Sequence, residues 1–143
     1  MTALLVLTVL TGVLVPALVI LILVLRQRDQ STGPEREAPW RLELVDLQTG
    51  GRLRKQFFCE LELGRTAGRE EPEGRLYLGN WRTMSRLQCR LLADGDSVWV
   101  ENMSRVNASI LNGMQIDSPC RLQVGDRLKL GGLEFLVSVL ERC

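Results

Sequence analysis

Residues 85–113 decide the fold and read SRLQCRLLADGDSVWVENMSRVNASILNG. Arginines and small polar side chains fill the connections between short apolar runs. Asn112-Gly113, placed between two such runs, is typical of the turn of a β-hairpin. Loops positioned by a rigid sheet are where binding residues concentrate. The stretch therefore predicts β-strands whose connections carry a functional site.

Similar short apolar runs extend on both sides of this stretch. A turn at residues 48–51 predicts a hairpin, and alternate apolar residues continue over residues 57–63. The later runs are residues 76–78, 87–92, 98–100, 110–111, 128–130 and 133–140. No window in this part has a convincing helical period. Strands this short and closely spaced predict an all-β sandwich or barrel over residues 40–143.

Composition limits the chemistry available to the chain. Lys and Arg number 18 against 17 Asp and Glu, so the net charge of +1 gives no general attraction for nucleic acid. Histidine is absent, which removes the commonest general base and zinc ligand. Neither a Walker-type glycine loop nor metal-ligand spacing occurs. We expect a protein that is not an enzyme, with no catalytic residue, metal, cofactor, small-molecule substrate or nucleic-acid partner.

The four cysteines are widely spaced and form no CxxC pair. They are Cys59, Cys89, Cys120 and Cys143. Cys59 and Cys89 stand within apolar runs, which predicts that both are small buried hydrophobic residues. The alternative is a disulfide framework, which small secreted domains use and cytosolic proteins rarely do.

An uncharged apolar run occupies residues 2–25 and is interrupted only by threonines, one glycine and Pro16. About 20 apolar residues suffice to cross a bilayer as a helix. A cleaved signal peptide is the alternative, but no basic residue precedes the run, and no small-residue cleavage site follows it. The pattern predicts a single transmembrane α-helix over residues 1–25, in contact with the lipid bilayer.

Residues 26–39 read RQRDQSTGPEREAP, which is too polar to bury a core. The segment is predicted to be a flexible cytoplasmic linker. Arg26 and Arg28 follow the apolar run at once, and positive residues stay on the cytoplasmic side. We therefore expect a single-pass protein of the cell membrane, with its N-terminus outside and its β domain in the cytoplasm.

Four motifs follow one another along the β domain. They are Leu63-Gly64-Arg65, Ser85-Arg86, residues 102–113 and residues 124–131. This succession resembles a forkhead-associated (FHA) domain, which has a Gly-Arg, a Ser-Arg, a segment ending in Asn-Gly and a late Gly-Asp. The resemblance extends over residues 40–139. It implies an FHA-like β-sandwich whose loops at one end bind a phosphothreonine peptide.

The resemblance also implies which residues bind the phosphopeptide. They are Arg65, Ser85, Arg86, Ser104, Arg105 and Asn107. A phosphate dianion requires charge-assisted donors, which the planar guanidinium of Arg65 supplies. Ser85 is expected to donate its hydroxyl to a phosphate oxygen. Asn107 is expected to bond to the peptide backbone, because its amide both donates and accepts.

Four positions depart from the family pattern. Gln88 replaces a histidine that braces the binding loops, and its amide also donates and accepts. Val106 removes a hydroxyl where a threonine is usual, and Asn102 replaces an aspartate. Ala108 replaces a glycine, and its Cβ would cost about 1 kcal/mol or more if the position required a positive φ.

Two functions fit the sequence. The first is a membrane-anchored module that binds phosphothreonine in partners modified by a Ser/Thr kinase and recruits them to the inner membrane face. The second is a phospho-independent structural adaptor in a membrane assembly, such as one for cell-envelope synthesis, division or secretion. Matched phosphothreonine and threonine peptides distinguish them, because only the first function requires the phosphate.

Overall fold

The computed structural model describes residue 16, residues 18–23 and residues 38–143. All regular elements from Ala38 to Cys143 are β-strands. They are β1 (Trp40–Asp46), β2 (Arg52–Phe57), β3 (Glu60–Gly64), β4 (Arg75–Tyr77), β5 (Cys89–Asp94), β6 (Ser97–Asn102), β7 (Ser109–Leu111), β8 (Met114–Gln115), β9 (Cys120–Leu122), β10 (Arg127–Leu130) and β11 (Leu133–Arg142). The prediction of an all-β domain is confirmed.

The strands form two stacked sheets. One has the order β2-β1-β11-β10-β7-β8, and the other has the order β4-β3-β5-β6-β9. The paired strands are antiparallel except for β3 and β4. Asn112, at φ 49°, and Gly113 form the turn between β7 and β8, so the predicted hairpin is confirmed.

The core lies between the two sheets. Leu42 and Val137 from the first sheet and Leu61 and Leu91 from the second are fully buried in one apolar cluster. Burial of such a side chain contributes about 1.5–3 kcal/mol relative to exposure. Because neighbouring strand residues point to opposite faces, this cluster sets the register of the strands. The sandwich therefore holds its connecting loops in fixed places.

The structure divides one predicted strand into two at Phe58 and Cys59. The alternation over residues 57–63 predicted one strand, but a bend separates β2 in the first sheet from β3 in the second. The chain crosses between the sheets at this bend, so Cys59 loses the inward position that the alternation gives it and is exposed. The prediction that Cys59 is buried is therefore wrong, whereas Cys89 is buried as expected.

The connections gather at two opposite ends of the sandwich. β11 begins with Leu133 paired to Leu130, and it ends with Arg142 paired to Trp40. The first of these ends, which we call the loop end, carries residues 64–66, 79–88, 102–109 and 131–132. We call the opposite end the Trp40 end. The polypeptide thus enters the domain at the end remote from these loops.

The predicted transmembrane helix over residues 1–25 falls mostly outside the described residues. Residue 16 and residues 18–23 are helical. Among the residues that the structure describes, no helix is long and apolar enough to cross a membrane. The predicted linker over residues 26–39 also lies outside the described part, except for its last two residues. Both expectations stay predictions.

Candidate functional site

The connection between β4 and β5, which contains residues 79–88, packs directly against two glycines. A Cβ on Gly64 would lie 1.8 Å from the Arg86 carbonyl oxygen. A Cβ on Gly131 would lie 2.1 Å from the Thr83 carbonyl oxygen. Only glycine permits a backbone to approach this closely. β3 and the turn between β10 and β11 therefore hold this loop from two sides.

Three polar side chains from two loops meet at the loop end. The hydroxyl oxygens of Ser85 and Ser104 lie 2.6 Å apart, and Asn107 Nδ2 donates to Ser85 Oγ at 2.9 Å. Ser104 Oγ also accepts the Asn107 backbone N–H at 3.0 Å. We call these three residues the polar centre. The structure thus brings three of the predicted binding residues into direct hydrogen-bond contact.

Gln88 is a fully buried polar residue that links the two loops. Its Oε1 accepts the Ser85 backbone N–H at 3.0 Å. Its Nε2 donates to the Asn107 carbonyl oxygen and to Ser109 Oγ, each at 2.9 Å. A buried amide needs such partners because an unpaired polar group there costs about 1–3 kcal/mol. These contacts match the bracing role that the family resemblance implies for Gln88.

Asn102 and Ser109 extend this network, although neither was predicted to bind the ligand. Ser109 Oγ donates to Asn102 Oδ1 at 2.8 Å, and Asn102 Nδ2 donates to the Ser104 carbonyl oxygen at 2.9 Å. The sequence signal for Asn102 is its place two residues before a serine at a strand end, where Asn side chains bond to their own backbone. Ser109 has no comparable signal, because its buried position depends on the packing of β7.

The remaining predicted residues, Arg65, Arg86 and Arg105, flank the polar centre. The Arg65 backbone N–H donates to the Ser85 carbonyl oxygen at 3.0 Å. Arg86 directly follows Ser85 in the chain, Arg105 directly follows Ser104, and both arginines are exposed. Among the described residues, no carboxylate oxygen lies within 4.0 Å of these three guanidinium groups. The segments that form or adjoin the polar centre therefore carry three guanidinium groups with no carboxylate of the described residues within that distance.

Two of the departures from the family pattern lie in the loop before β7. Ala108 does not have a positive φ, since Asn112 is the one non-glycine residue in the described part that does. The Cβ of Ala108 therefore does not cause the backbone strain that a positive φ would bring. Val106 is 89% exposed, so an apolar surface replaces the hydroxyl that a threonine would present.

A shallow groove of about 300 Å³ adjoins the polar centre. Asn107 and Ala108 form part of its lining, together with Thr83, Lys129 and Gly132. An extended segment that bonds to Asn107 has room to continue along this groove. The loop end thus combines hydrogen-bond donors and acceptors, positive charge and an open groove, which suits an extended anionic ligand.

Reactive groups near the polar centre are few. Cys89 is buried, and this burial raises the pKa of its thiol. A buried neutral thiol is a poor nucleophile. In the part of the chain that the structure describes, His, Cys, Asp and Glu side chains form no group of three that could hold a metal ion.

The FHA domain family matches this chain over residues 63–131. The matched range begins within β3 and ends directly after β10, so it contains all of the predicted binding residues. No curated protein gives a sequence match to this chain.

Several solved structures, among them FHA domains, have a similar fold. The FHA domain of the CT664 protein from Chlamydia trachomatis is 17% identical, with a TM-score of 0.55 over 74% of this chain and 99% of that chain. EmbR from Mycobacterium tuberculosis, in complex with a low-affinity phosphopeptide, is 18% identical, with a TM-score of 0.57 over 74% of this chain and 26% of EmbR. The N-terminal FHA domain of Rad53p from S. cerevisiae, in complex with a phosphothreonine peptide, is 16% identical, with a TM-score of 0.55 over 69% of this chain and 93% of that chain. The family match and the shared fold show that this chain contains an FHA domain.

Proposed function

We propose that this chain binds phosphothreonine peptides at the loop end of its FHA domain and acts as a binding module, not as an enzyme. The observation that carries the proposal is the polar centre, which is flanked by arginines without a carboxylate partner among the described residues. The solved complex of the Rad53p FHA domain, which has the same fold, contains a phosphothreonine peptide. The proposal extends that binding mode to this chain.

Recognition of the phosphate rests on charge and on one hydroxyl. A phosphothreonine carries a charge of about −1.5 to −2 at neutral pH. Arg65 and Arg86 supply the positive charge, and the Ser85 hydroxyl donates to a phosphate oxygen. In the structure, Ser85 Oγ contacts Ser104 and Asn107 instead. Phosphate binding therefore replaces these hydrogen bonds with stronger charge-assisted ones. The net binding free energy is smaller than the energy of the new bonds alone, because the old bonds are lost.

Recognition of the peptide backbone rests on Asn107. Its own backbone is held on both sides, because Ser104 Oγ accepts its N–H and Gln88 Nε2 donates to its carbonyl oxygen. Its side-chain amide is therefore presented from a fixed position. An amide that both donates and accepts sets the register of an extended segment. We expect this amide to move from Ser85 to the peptide when the ligand binds.

Calorimetric titration of the full chain with matched phosphothreonine and threonine peptides tests the proposal. We expect the phosphopeptide to bind at least about tenfold more tightly, because each charge-assisted hydrogen bond contributes about 1.5–3 kcal/mol. Arg65→Ala and Ser85→Ala should remove most of this difference. Asn107→Ala should weaken phosphopeptide binding by about 1–3 kcal/mol, the cost of an unpaired backbone group.

Ser97→Ala and Arg121→Ala are matched controls for the serine and arginine variants. Both residues line a cavity next to Trp40, away from the loop end. They should keep the affinity of the unmodified chain. Equal affinity for the two peptides, unchanged by Ser85→Ala, would contradict phosphate recognition and favour the phospho-independent adaptor.

Residues 1–25 are proposed to anchor the chain in the cell membrane, with the linker and the FHA domain in the cytoplasm. There the domain recruits partners that a Ser/Thr kinase has phosphorylated. The apolar run over residues 2–25 and the arginines directly after it support this proposal. The position of Trp40 also supports it, because the chain enters the domain at the end opposite the loop end.

Thiol labelling of the full chain tests this topology. Cys59 and Cys143 are exposed, and no cysteine occurs before Cys59. In sealed right-side-out vesicles, an impermeant maleimide should label neither thiol, and permeabilisation should expose both. Paired Cys59→Ser and Cys143→Ser substitutions should remove most of this signal, because Cys120 is only partly exposed and Cys89 is buried. Labelling of intact vesicles would contradict the orientation, and recovery of the chain in the soluble fraction would contradict the anchor.

A further inference from the structure

The connection between β3 and β4 is a long return loop. The two strands are parallel neighbours, with Gly64 paired to Tyr77. The chain therefore leaves β3 at the loop end and must run back before β4 can begin at Arg75. This connection, residues 65–74, contains no strand or helix, and we call it the Arg65 loop after its first residue. The position of Arg65 therefore depends on the contacts that restrain this loop.

Hydrogen bonds to the end of β4 and the residues directly after it hold the beginning of the Arg65 loop. The Thr66 N–H donates to the Gly79 carbonyl oxygen at 3.0 Å, and Thr66 Oγ1 accepts the Gly79 N–H at 3.1 Å. The Tyr77 hydroxyl donates to the Ala67 carbonyl oxygen at 2.6 Å. The second and third residues of the loop are therefore tied to the segment at the end of β4.

Glu71 connects the later part of the Arg65 loop to both sheets. Its Oε2 accepts the Tyr77 backbone N–H at 2.9 Å, and its Oε1 accepts from Lys55 Nζ, on β2 of the first sheet, at 2.7 Å. The Lys55 side chain is 20% exposed and that of Glu71 is 32% exposed, so water weakens this ion pair less than a fully exposed one. Tyr77 thus contacts the loop twice, through its hydroxyl group and through its backbone.

The Tyr77 side chain lies outside the core. Successive strand residues point to opposite faces of a sheet, and Leu76 is the residue of β4 that is buried in the apolar cluster. Tyr77 is partly buried and does not belong to that cluster. Loss of its hydroxyl group should therefore leave the packing between the sheets intact and release the contact with the Arg65 loop.

We propose that Tyr77 is a positioning residue for phosphate recognition, because its hydroxyl group restrains the loop from which Arg65 extends. This inference rests on the proposed function, in which Arg65 binds the phosphate. The Arg65 N–H donates to the Ser85 carbonyl oxygen at 3.0 Å, and two residues later the Tyr77 hydroxyl holds the chain. The planar guanidinium fork must be oriented to match phosphate oxygens. Without the restraint, ordering of the loop during binding would cost conformational entropy.

Calorimetric titration of the full chain with the phosphothreonine peptide tests the inference. Tyr77→Phe removes only the hydroxyl group, and we expect it to weaken binding about three- to tenfold, the net effect of one hydrogen bond. In an Arg65→Lys background, the same substitution should weaken binding less than about twofold, because a lysine ammonium group donates in many directions. Arg86→Lys, in the other loop, is the matched background, and the loss there should equal that in the unmodified chain.

Glu71→Ala and Glu73→Ala form a second matched pair. Glu71→Ala removes the contacts to Tyr77 and Lys55, so it should weaken phosphopeptide binding in the same direction. Glu73 is an exposed acid of the same loop, and it forms no ion pair with the residues that the structure describes. Glu73→Ala should therefore keep the affinity of the unmodified chain.

Equal losses from Tyr77→Phe in all three backgrounds would overturn the inference, because they would indicate a general effect on the fold. An affinity unchanged by Tyr77→Phe would also overturn it. In both cases the preference of the unmodified chain for the phosphopeptide would still support the proposed function. If the unmodified chain does not prefer the phosphopeptide to its unphosphorylated form, the proposed function and this inference both fail.

Discussion

Gly64→Ala should lower the free energy of unfolding by about 3 kcal/mol or more, because it forces an atom into occupied backbone space. The new Cβ would lie 1.8 Å from the Arg86 carbonyl oxygen and 2.6 Å from the Arg86 carbonyl carbon. A backbone carbonyl has no rotamer by which to move away, so β3 and the loop before β5 must separate. Chemical denaturation of the unmodified and variant chains measures this change.

Gly51→Ala is the matched control for this substitution. The nearest neighbour of a Cβ at Gly51 is the flexible Thr49 hydroxyl at 3.3 Å, and Gly51 does not have a positive φ. We expect a change within about 0.5 kcal/mol there. If Gly64→Ala unfolds at the same denaturant concentration as the unmodified chain, β3 and the loop before β5 separate without an energetic cost. The close packing would then have no energetic role.

Gln88→Leu should destabilise the domain by about 2–4 kcal/mol and abolish phosphopeptide binding. The side chain is fully buried, and leucine has a similar size, so the effect arises from lost hydrogen bonds and not from a cavity. The substitution leaves the Ser85 N–H and the Asn107 carbonyl oxygen without their partner. Both loops of the polar centre lose their common anchor as a result. Thermal unfolding and peptide titration measure the two effects.

Two further substitutions separate this bracing role from a general effect of replacing glutamine. Gln115→Leu changes an exposed glutamine on the edge strand β8 and should alter stability by about 0.5 kcal/mol or less. Gln88→His keeps a donor and an acceptor, so it should restore part of the binding that Gln88→Leu loses. If the leucine variant binds the phosphopeptide normally, the loops are held by other contacts.

Gly64→Ala and Gln88→Leu both disturb the contacts that hold the Ser85 loop in place. The loop that carries Ser85 packs its backbone closely against Gly64, and its Ser85 N–H donates to Gln88 Oε1. A binding site built on loops recognises its ligand best when the loops do not have to be ordered during binding, since ordering costs conformational entropy. Stability at these positions and affinity for the ligand should therefore change together.

The strands were the most predictable part of the fold. Alternation of apolar and polar residues depends on near neighbours in the chain, and it identified the strands around Val98 and Leu128 correctly. The same alternation failed at Phe58 and Cys59, because one continuous pattern there spans two strands in different sheets. Crossing between sheets is a property of the stacked layers and has no signal in the local pattern.

The sequence by itself determined an all-β domain, the Asn112-Gly113 turn and the identity of the polar residues in the loops. Only the tertiary structure decided that Ser85 and Asn107, 22 positions apart, share a hydrogen bond. It also decided that Gly64 provides space for a neighbouring carbonyl group. Local patterns report the preferences of adjacent residues, whereas these contacts arise when two sheets stack and bring distant loops to one end.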